Sequence, residues 1–229
     1  MRKLWNVRMK MKYKGIIFDL DGTLLDSMKV WENVDRDFVK ENGGVYTEDI
    51  SQTVKKMTIQ QSAEYFKTRF NLSHSCEYII NRIEEMVSEQ YCRYIPLKNG
   101  VLKTLETLSA KDVKMCVATA TYNSLVEAAL NRLGIADKFE FVLTCSDVGS
   151  GKDKPDIFYK SAQKLGFDIS EVIVVEDSLH CIETAKNAGF ATIAVYDEIA
   201  GEDWKKILEI SDYSIDSMEQ FCDIFFKEV

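Results

Sequence analysis

Two aspartates separated by one residue follow directly after a short apolar run. The run GIIF covers residues 15–18, and the acids are Asp19 and Asp21 in the stretch GIIFDLDGTLLDS. Side chains two residues apart at a strand end face the same side. One carboxylate can therefore attack an electrophilic centre while the other serves as a general acid and base. Two carboxylates this close repel each other and are costly to bury, which predicts a compensating cation.

Further polar residues follow other apolar runs of the chain. Thr119 ends the run VKMCVAT, Glu176 and Asp177 end the run EVIVVED, and a lysine lies in GKDKPDIF. In open α/β sheets, ligands bind beyond the carboxyl ends of the strands. Oxygen ligands with excess negative charge are what Mg²⁺ requires, and Mg²⁺ favours a phosphate oxygen as one further ligand. We therefore expect the acids to hold Mg²⁺ opposite a lysine and a hydroxyl that hold a phosphate group.

Five apolar runs without polar alternation are typical of strands that are covered on both faces of a parallel sheet. These runs are residues 15–18, 113–119, 139–145, 171–177 and 190–196. Helical patterns that end on glycine lie between the later runs, at residues 123–134, 155–166 and 178–189. Strands alternating with helices of this length predict βα units and an α/β, Rossmann-like parallel-sheet core.

The long segment between the first and second runs has a different character. It contains no clear strand and reads as three amphipathic helices: MKVWENVDRDFVKENG, TIQQSAEYFKTRF and EYIINRIEEMVSEQYCRYI. This length is too great for a simple crossover. We therefore predict a core of residues 11–27 and 97–229 with an inserted small α-helical cap domain of residues 28–96. Its hinges are expected near Asp26-Ser27 and residues 96–100.

The composition excludes several classes of protein. With 229 residues, 46% hydrophobic and 29% charged, the chain is ordinary for a soluble globular protein. A formal net charge of −8 argues against a nucleic-acid partner, which needs a clustered basic face. No stretch approaches the roughly 18 to 20 apolar residues of a membrane span. The opening MRKLWNVRMKMKYKG lacks the apolar centre of a signal peptide, and Met9 or Met11 could equally be the natural start.

Cysteine usage bears on the cellular compartment. The six cysteines lie far apart and form no C-x-x-C, and Cys116 and Cys145 fall inside strand-like runs. A free thiol packs there as a small hydrophobe. With only two histidines a zinc site is not expected. We expect reduced thiols in a cytoplasmic monomer.

Four motifs in order resemble the haloacid dehalogenase superfamily of aspartate-nucleophile phosphotransferases. They are DLDGT, the hydroxyl ending the second run, the lysine ahead of PDIF, and VVEDS. The resemblance covers essentially the whole chain, including the helical cap after the first motif. The subgroup to which the chain is most similar contains β-phosphoglucomutase and the small sugar-phosphate phosphatases.

This resemblance implies roles for the residues of the motifs. Asp19 would be the nucleophile that becomes an aspartyl phosphate, and Asp21 the general acid and then the base that activates water. Thr119 and the backbone of Ala120 would bind the transferring phosphoryl group. The expected Mg²⁺ ligands are Asp19, the Asp21 carbonyl, Asp177, and Glu176 directly or through water.

The phosphate-binding lysine is open to two assignments. The family usually reads K-P-x-P-D, whereas this chain reads KDKPD from residue 152. Counting back from PDIF without gaps gives Lys152. Lys154 is the alternative if the loop shifts.

Mutase and phosphatase are distinguished outside the four motifs. A β-phosphoglucomutase holds a second phosphate with a cap arginine and a lysine beside the strand-two hydroxyl, and the matching residues here are Ile59 and Tyr122. Neutral residues cannot neutralise a second dianion, which favours simple hydrolysis. Lys55 or Lys56 could supply charge, so a mutase is the alternative.

The expected function is that of a magnesium-dependent phosphatase acting on a small phosphorylated metabolite, a sugar phosphate. The cap loop residues Lys55, Lys56, Met57 and Thr58 are expected to select the substrate. A non-catalytic phospho-acceptor or interaction module is the alternative from another class. Receiver-type domains, however, carry the phospho-acceptor after the third strand, and here the acidic pair follows the first.

Overall fold

A six-stranded parallel sheet forms the centre of the protein. The computed structural model describes residues 12–54 and 57–227. In chain order the strands are Gly15–Phe18 (β1), Lys114–Thr119 (β2), Val142–Thr144 (β3), Val172–Glu176 (β4), Ala191–Val195 (β5) and Tyr213–Ile215 (β6). Their order across the sheet is β3-β2-β1-β4-β5-β6, and all five pairings are parallel. The predicted Rossmann-like fold class is confirmed.

Helices surround the sheet and fill the insert. Four follow β1: Met28–Glu41 (α1), Glu48–Val54 (α2), Ile59–Arg69 (α3) and Cys76–Arg93 (α4). The others are Val101–Ser109 (α5), Asn123–Arg132 (α6), Cys145–Val148 (α7), Asp156–Leu165 (α8), Leu179–Asn187 (α9), Asp203–Ile210 (α10) and Phe221–Lys227 (α11). Short 3₁₀ turns occupy Ala136–Lys138, Ile169–Glu171, Glu198–Ala200 and Met218–Gln220. None of the described helices is both long and apolar enough to cross a membrane.

The central strand β1 is apolar on both faces because both faces are covered. Ile16 and Phe18 pack into one hydrophobic cluster, and Ile17 points to the other face, where it joins Cys116 and Val174 of the neighbouring strands. All four residues of β1 are buried. Side chains alternate between the faces along a strand. A continuous apolar run is therefore what this position in the sheet demands.

Some elements differ from the sequence-based predictions. The run 139–145 forms a strand only over Val142–Thr144, and Cys145 begins α7 instead of lying in a strand. The reason is a reciprocal cap, in which the Thr144 hydroxyl accepts from the Asp147 N–H while the Asp147 carboxylate accepts from the Thr144 N–H. The strand β6 and the helix α2 were not predicted, because both are short and partly polar.

The insert enters and leaves the core at one place. The Asp26 N–H donates to the Pro96 carbonyl at 3.0 Å, and the Lys98 N–H donates to the Leu24 carbonyl at 2.9 Å. Leu25 and Leu97 form an antiparallel bridge between these hydrogen bonds. The two connecting segments therefore lie side by side where the predicted hinges fall. The division into domains at residues 28 and 96 stays a prediction.

Candidate active site

The sheet order places three sequence-predicted residues at one edge. Strand β1 lies between β2 and β4, so Asp19 after β1, Thr119 at the end of β2 and Glu176 at the end of β4 are neighbours. The Asp19 N–H donates to the Val175 carbonyl at 2.9 Å, which holds the residue in register just beyond the last pair of the ladder. Three strand ends thus converge without any long loop.

Three buried carboxylates meet at this edge. Asp19, Glu176 and Asp177 each offer an oxygen atom within 4.8 Å of the other two. The buried ammonium of Lys152 donates to Asp19 and, at 2.6 Å, to Glu176. A single lysine therefore contacts two of the three acids, and the cluster has a surplus of negative charge.

The pKa values of the cluster reflect this surplus. Burial, followed by the charge of Glu176, raises the pKa of Asp19 to about 8. Burial and the charges of Glu176 and Asp19 raise the pKa of Asp177 well above its usual value. Burial opposes ionisation of Glu176 as well, but Lys152 beside it lowers the pKa of Glu176 overall. Added positive charge would allow all three carboxylates to ionise.

The donor set of this cluster fits a divalent metal ion. Carboxylate oxygens are the donors that a hard cation such as Mg²⁺ prefers, and three of them are close enough to share one ion. The residues that would hold it are Asp19, Glu176 and Asp177. The carboxylate of Asp21 lies outside this group, and the part of its backbone carbonyl in metal binding stays a prediction.

A glycine lets the first motif approach Asp177 closely. Gly22 has φ of +82°, and a Cβ atom at this position would lie 2.3 Å from the Asp177 Oδ2 atom. Thr23 in the same loop donates its hydroxyl to Asp177 at 3.3 Å. The Lys98 ammonium donates to the Gly22 carbonyl at 2.6 Å and to Asp197 at 2.9 Å. The D-G-T part of the motif is thus required by packing as well as by turn geometry.

Asp21 has surroundings unlike those of Asp19. Its carboxylate accepts hydrogen bonds from Ser27 at 2.6 Å, from Thr121 at 2.5 Å and from the Tyr91 hydroxyl. Tyr91 belongs to α4 of the insert, and the Trp31 indole N–H from α1 donates to its hydroxyl at 2.8 Å. Two adjacent acids are therefore held in two environments, one beside a lysine and one beside hydroxyls. Such a division suits two different tasks.

Sequence reasoning did not assign Tyr91, Trp31 or Thr121 to the site. Tyr91 looks like an ordinary core residue of an amphipathic helix, and it is fully buried. Only its hydroxyl distinguishes Tyr91 from an apolar core residue, because a buried tyrosine hydroxyl needs a hydrogen-bond partner. Thr121 lies two residues after Thr119, and its N–H donates to the Thr119 hydroxyl at 3.0 Å.

The structure separates the two candidate lysines. Lys152 is buried in the acidic cluster, whereas Lys154 is exposed. Thr119, which is buried, and Ala120, which is exposed, line the same cavity as Lys152. These positions agree with the assignment to Lys152 that comes from counting back from PDIF without gaps. The phosphate-binding roles of Thr119, Ala120 and Lys152 stay predictions.

A cavity of about 740 Å³ lies between the acidic cluster and the insert. Met57 and Thr58 of the cap loop line it, and Ile59 and Tyr122 line it as well. That Met57 and Thr58 select the substrate stays a prediction. The other two expected selection residues, Lys55 and Lys56, lie outside the described residues. A space of this size suits a small metabolite.

Known proteins resemble this chain over nearly its whole length. It is 26% identical to a phosphorylated carbohydrates phosphatase of Thermotoga maritima, with 94% of this chain and 99% of that protein covered. It is 27% identical to hexitol phosphatase A of Escherichia coli, with 92% and 94% covered. The fold matches the crystal structure of Clostridium difficile β-phosphoglucomutase with a TM-score of 0.77 and 19% identity, covering 94% of this chain and 98% of that one. It also matches the crystal structure of Rhodobacter sphaeroides CbbY with phosphate, with a TM-score of 0.76 and 20% identity, covering 91% of this chain and 96% of that one.

The family follows from a match that spans both the strand-end acids and the insert. The protein-family model of the haloacid dehalogenase-like hydrolases matches residues 16–195, which include the four motifs and the cavity lining between them. The chain therefore belongs to the haloacid dehalogenase-like hydrolase family.

Proposed function

We propose that the protein is a magnesium-dependent phosphatase that hydrolyses a small phosphorylated metabolite through an aspartyl phosphate. One observation carries this proposal. A buried nucleophile candidate, Asp19, lies beside Lys152 and two further carboxylates, while a second acid, Asp21, is held separately by hydroxyl groups in the same cavity. This is the set of groups that phosphoryl transfer to a carboxylate and then to water requires.

In the first step the Asp19 carboxylate attacks phosphorus, and the bond from phosphorus to the ester oxygen breaks. Asp21 gives its proton to that oxygen, so the alcohol leaves neutral. In the second step Asp21 removes a proton from water, which attacks the phosphorus of the aspartyl phosphate and regenerates Asp19. Thr119, the Ala120 N–H and Lys152 hold the phosphoryl oxygens in both steps.

Mg²⁺ would be held by Asp19, Glu176 and Asp177. When bound, it neutralises charge on the phosphoryl oxygens and on the crowded carboxylates. Lys152 then offsets the remaining charge of Asp19 and Glu176. The four motifs thus form one charge-balanced site.

Hydrolysis is favoured over a mutase reaction by the neutral residues of the cavity wall. Ile59 and Tyr122 line the cavity at the two positions where a phosphosugar mutase would hold a second phosphate with cations. The names of the relatives, which include a phosphatase of phosphorylated carbohydrates and a hexitol phosphatase, support a sugar or polyol phosphate as substrate.

Metal removal tests this function. Phosphate release from a panel of sugar, polyol and nucleotide monophosphates is expected to require Mg²⁺. EDTA should lower the rate by at least about 100-fold, because a bound metal supplies several kcal/mol of charge stabilisation. Restoring Mg²⁺ should restore the rate, and the panel should identify the best substrate.

Two results would contradict the proposal. Phosphate release that is unchanged by EDTA would exclude the metal site. Conversion of glucose 1-phosphate to glucose 6-phosphate in the presence of a bisphosphate primer, without net phosphate release, would identify a mutase.

Tyr91→Phe is expected to lower kcat about tenfold with little change in KM. The variant removes one of the three hydroxyl donors of Asp21, and a hydrogen bond to a charged group contributes about 1.5 to 3 kcal/mol. Steady-state kinetics with the best substrate measures the effect. Tyr94→Phe, a change at an exposed tyrosine that follows the same helix, is the matched control. Equal kcat values for the two variants would show that Tyr91 does not position Asp21.

A further inference from the structure

One acid of the insert faces the cavity away from the metal cluster. Asp35 lies on α1 and lines the cavity together with Met28 and Trp31 of the same helix. These three residues are spaced by three and four positions, so they share one face of the helix. Asp35 therefore belongs to the wall that the insert presents to a bound substrate.

The carboxylate of Asp35 has no partner among residues 12–54 and 57–227. Neither a hydrogen bond nor an ion pair reaches it from this part of the chain, in contrast to the three donors of Asp21. Burial raises the pKa of Asp35 to about 7. A partly buried carboxylate without a donor is unfavourable, and a ligand that supplies a donor relieves that cost.

The position of Asp35 sets its distance from the reacting bond. Asp21 is joined through the Tyr91 hydroxyl to the Trp31 indole, and Asp35 follows Trp31 by four residues. At 1.5 Å per residue this is about 6 Å further along the helix. Since Asp21 serves the ester oxygen in the proposed reaction, Asp35 meets substrate atoms several bonds away from that oxygen.

The charges of the cavity wall restrict what those atoms are. Lys152 and Lys154, both on the core loop, are the cations that line the cavity within the described residues. The described part of the insert contributes no lysine or arginine to the lining, and its charged side chain there is Asp35. A second phosphate or a carboxylate at this end of the substrate would therefore meet the like charge of Asp35, and no lysine or arginine of the described part of the insert would offset it.

We propose that Asp35 binds a hydrogen-bond donor, either a hydroxyl or an ammonium, at the end of the leaving alcohol distant from the phosphate. The substrate carries no second acidic group at that end. The inference rests on the proposed phosphatase function and narrows its substrate to polyol, sugar or amino-sugar monophosphates.

Three acyclic six-carbon monophosphates that differ at a single carbon test the inference. Glucitol 6-phosphate, 1-amino-1-deoxyglucitol 6-phosphate and 6-phosphogluconate carry a hydroxyl, an ammonium and a carboxylate at the end distant from the phosphate. The enzyme is expected to have a kcat/KM for the carboxylate at least about 100-fold below that for the better of the other two. Whichever of those two has the higher kcat/KM shows whether Asp35 binds a hydroxyl or an ammonium group.

Asp35→Asn assigns the selectivity to this residue. The variant is expected to lower kcat/KM for the preferred donor substrate by about 10- to 100-fold, mainly through KM. The ratio of this kcat/KM to that for 6-phosphogluconate should therefore be smaller than in the wild type. Hydrolysis of p-nitrophenyl phosphate, whose ring lacks a distant donor, should stay within about twofold of the wild-type rate. Asp37→Asn, at an exposed acid of the same helix, is the control and should change none of these values.

Unchanged selectivity in Asp35→Asn would overturn the inference. An equal loss on p-nitrophenyl phosphate and on the six-carbon monophosphates would also overturn it, since that pattern indicates a purely structural role. Failure of the wild-type protein to release phosphate from any of these compounds would instead overturn the proposed function, and the inference with it.

Discussion

Asp19→Asn is expected to lower phosphate release by at least about 10³-fold, because the amide has nearly the same shape but cannot attack phosphorus. Folding should be preserved. The substitution removes one charge from a cluster of three carboxylates, and Lys152 keeps its contact with Glu176 at 2.6 Å. The measurement is the initial rate of phosphate release at saturating Mg²⁺, with the melting temperature of the same sample as the folding readout.

The matched control for this variant is Asp26→Asn, at an exposed acid seven residues further along the chain. It should retain the wild-type rate. A variant at Asp19 that is folded and keeps more than a tenth of the wild-type rate would show that the nucleophile is another residue.

Lys152→Met is expected to reduce both stability and activity. The methionine keeps most of the side-chain volume but leaves Asp19 and Glu176 buried without their cation. Removing one partner of a buried ion pair costs about 3 to 5 kcal/mol of the free energy of unfolding. Loss of a charge that stabilises the transferring phosphoryl group should lower kcat by about 10² to 10³. Urea unfolding in metal-free buffer and phosphate release with Mg²⁺ measure the two effects.

The loss of stability should grow between pH 5 and pH 8. In the wild-type protein, burial opposes ionisation of Glu176 while the charge of Lys152 lowers its pKa. Without Lys152 only the effect of burial remains, so the pKa of Glu176 is expected to rise in the variant. The native variant then binds more protons than its unfolded chain in this range, and its free energy of unfolding falls as pH rises. An equal loss at both pH values would contradict this account of Lys152.

Lys154→Ala is the matched control for Lys152→Met. Lys154 is exposed two residues along the same loop. We expect its removal to change stability by less than about 0.5 kcal/mol. A greater loss of activity in Lys154→Ala than in Lys152→Met would reverse the assignment of the phosphate-binding lysine.

The core and its acidic cluster could be predicted because their signals are local. Asp19 follows β1 directly, Glu176 is the last residue of β4, and Asp177 follows it. Both strands are buried on both faces, and such strands can be predicted from continuous apolar runs. The parallel arrangement then brings the strand ends together without further information. Short elements such as β6, with three residues, carry too little pattern to be predicted.

The environment of Asp21 could not be predicted for the opposite reason. Tyr91 lies 70 positions away in the chain, and its hydrogen bond to Asp21 depends on how α4 packs over the core. Asp35 likewise reads as one of many charged residues on an amphipathic helix. Only the cavity beside α1 distinguishes it from Asp37, which is exposed on the same helix.

The paired connection at Leu25 and Leu97 has an evolutionary consequence. Because the insert joins the core through two adjacent segments, its residues can be replaced as a block without breaking any strand of the sheet. On the proposed function, leaving-group preference and phosphoryl chemistry reside in different blocks and can diversify at different rates. The hydroxyl of Tyr91 limits that freedom, since any replacement block must still deliver a donor to Asp21.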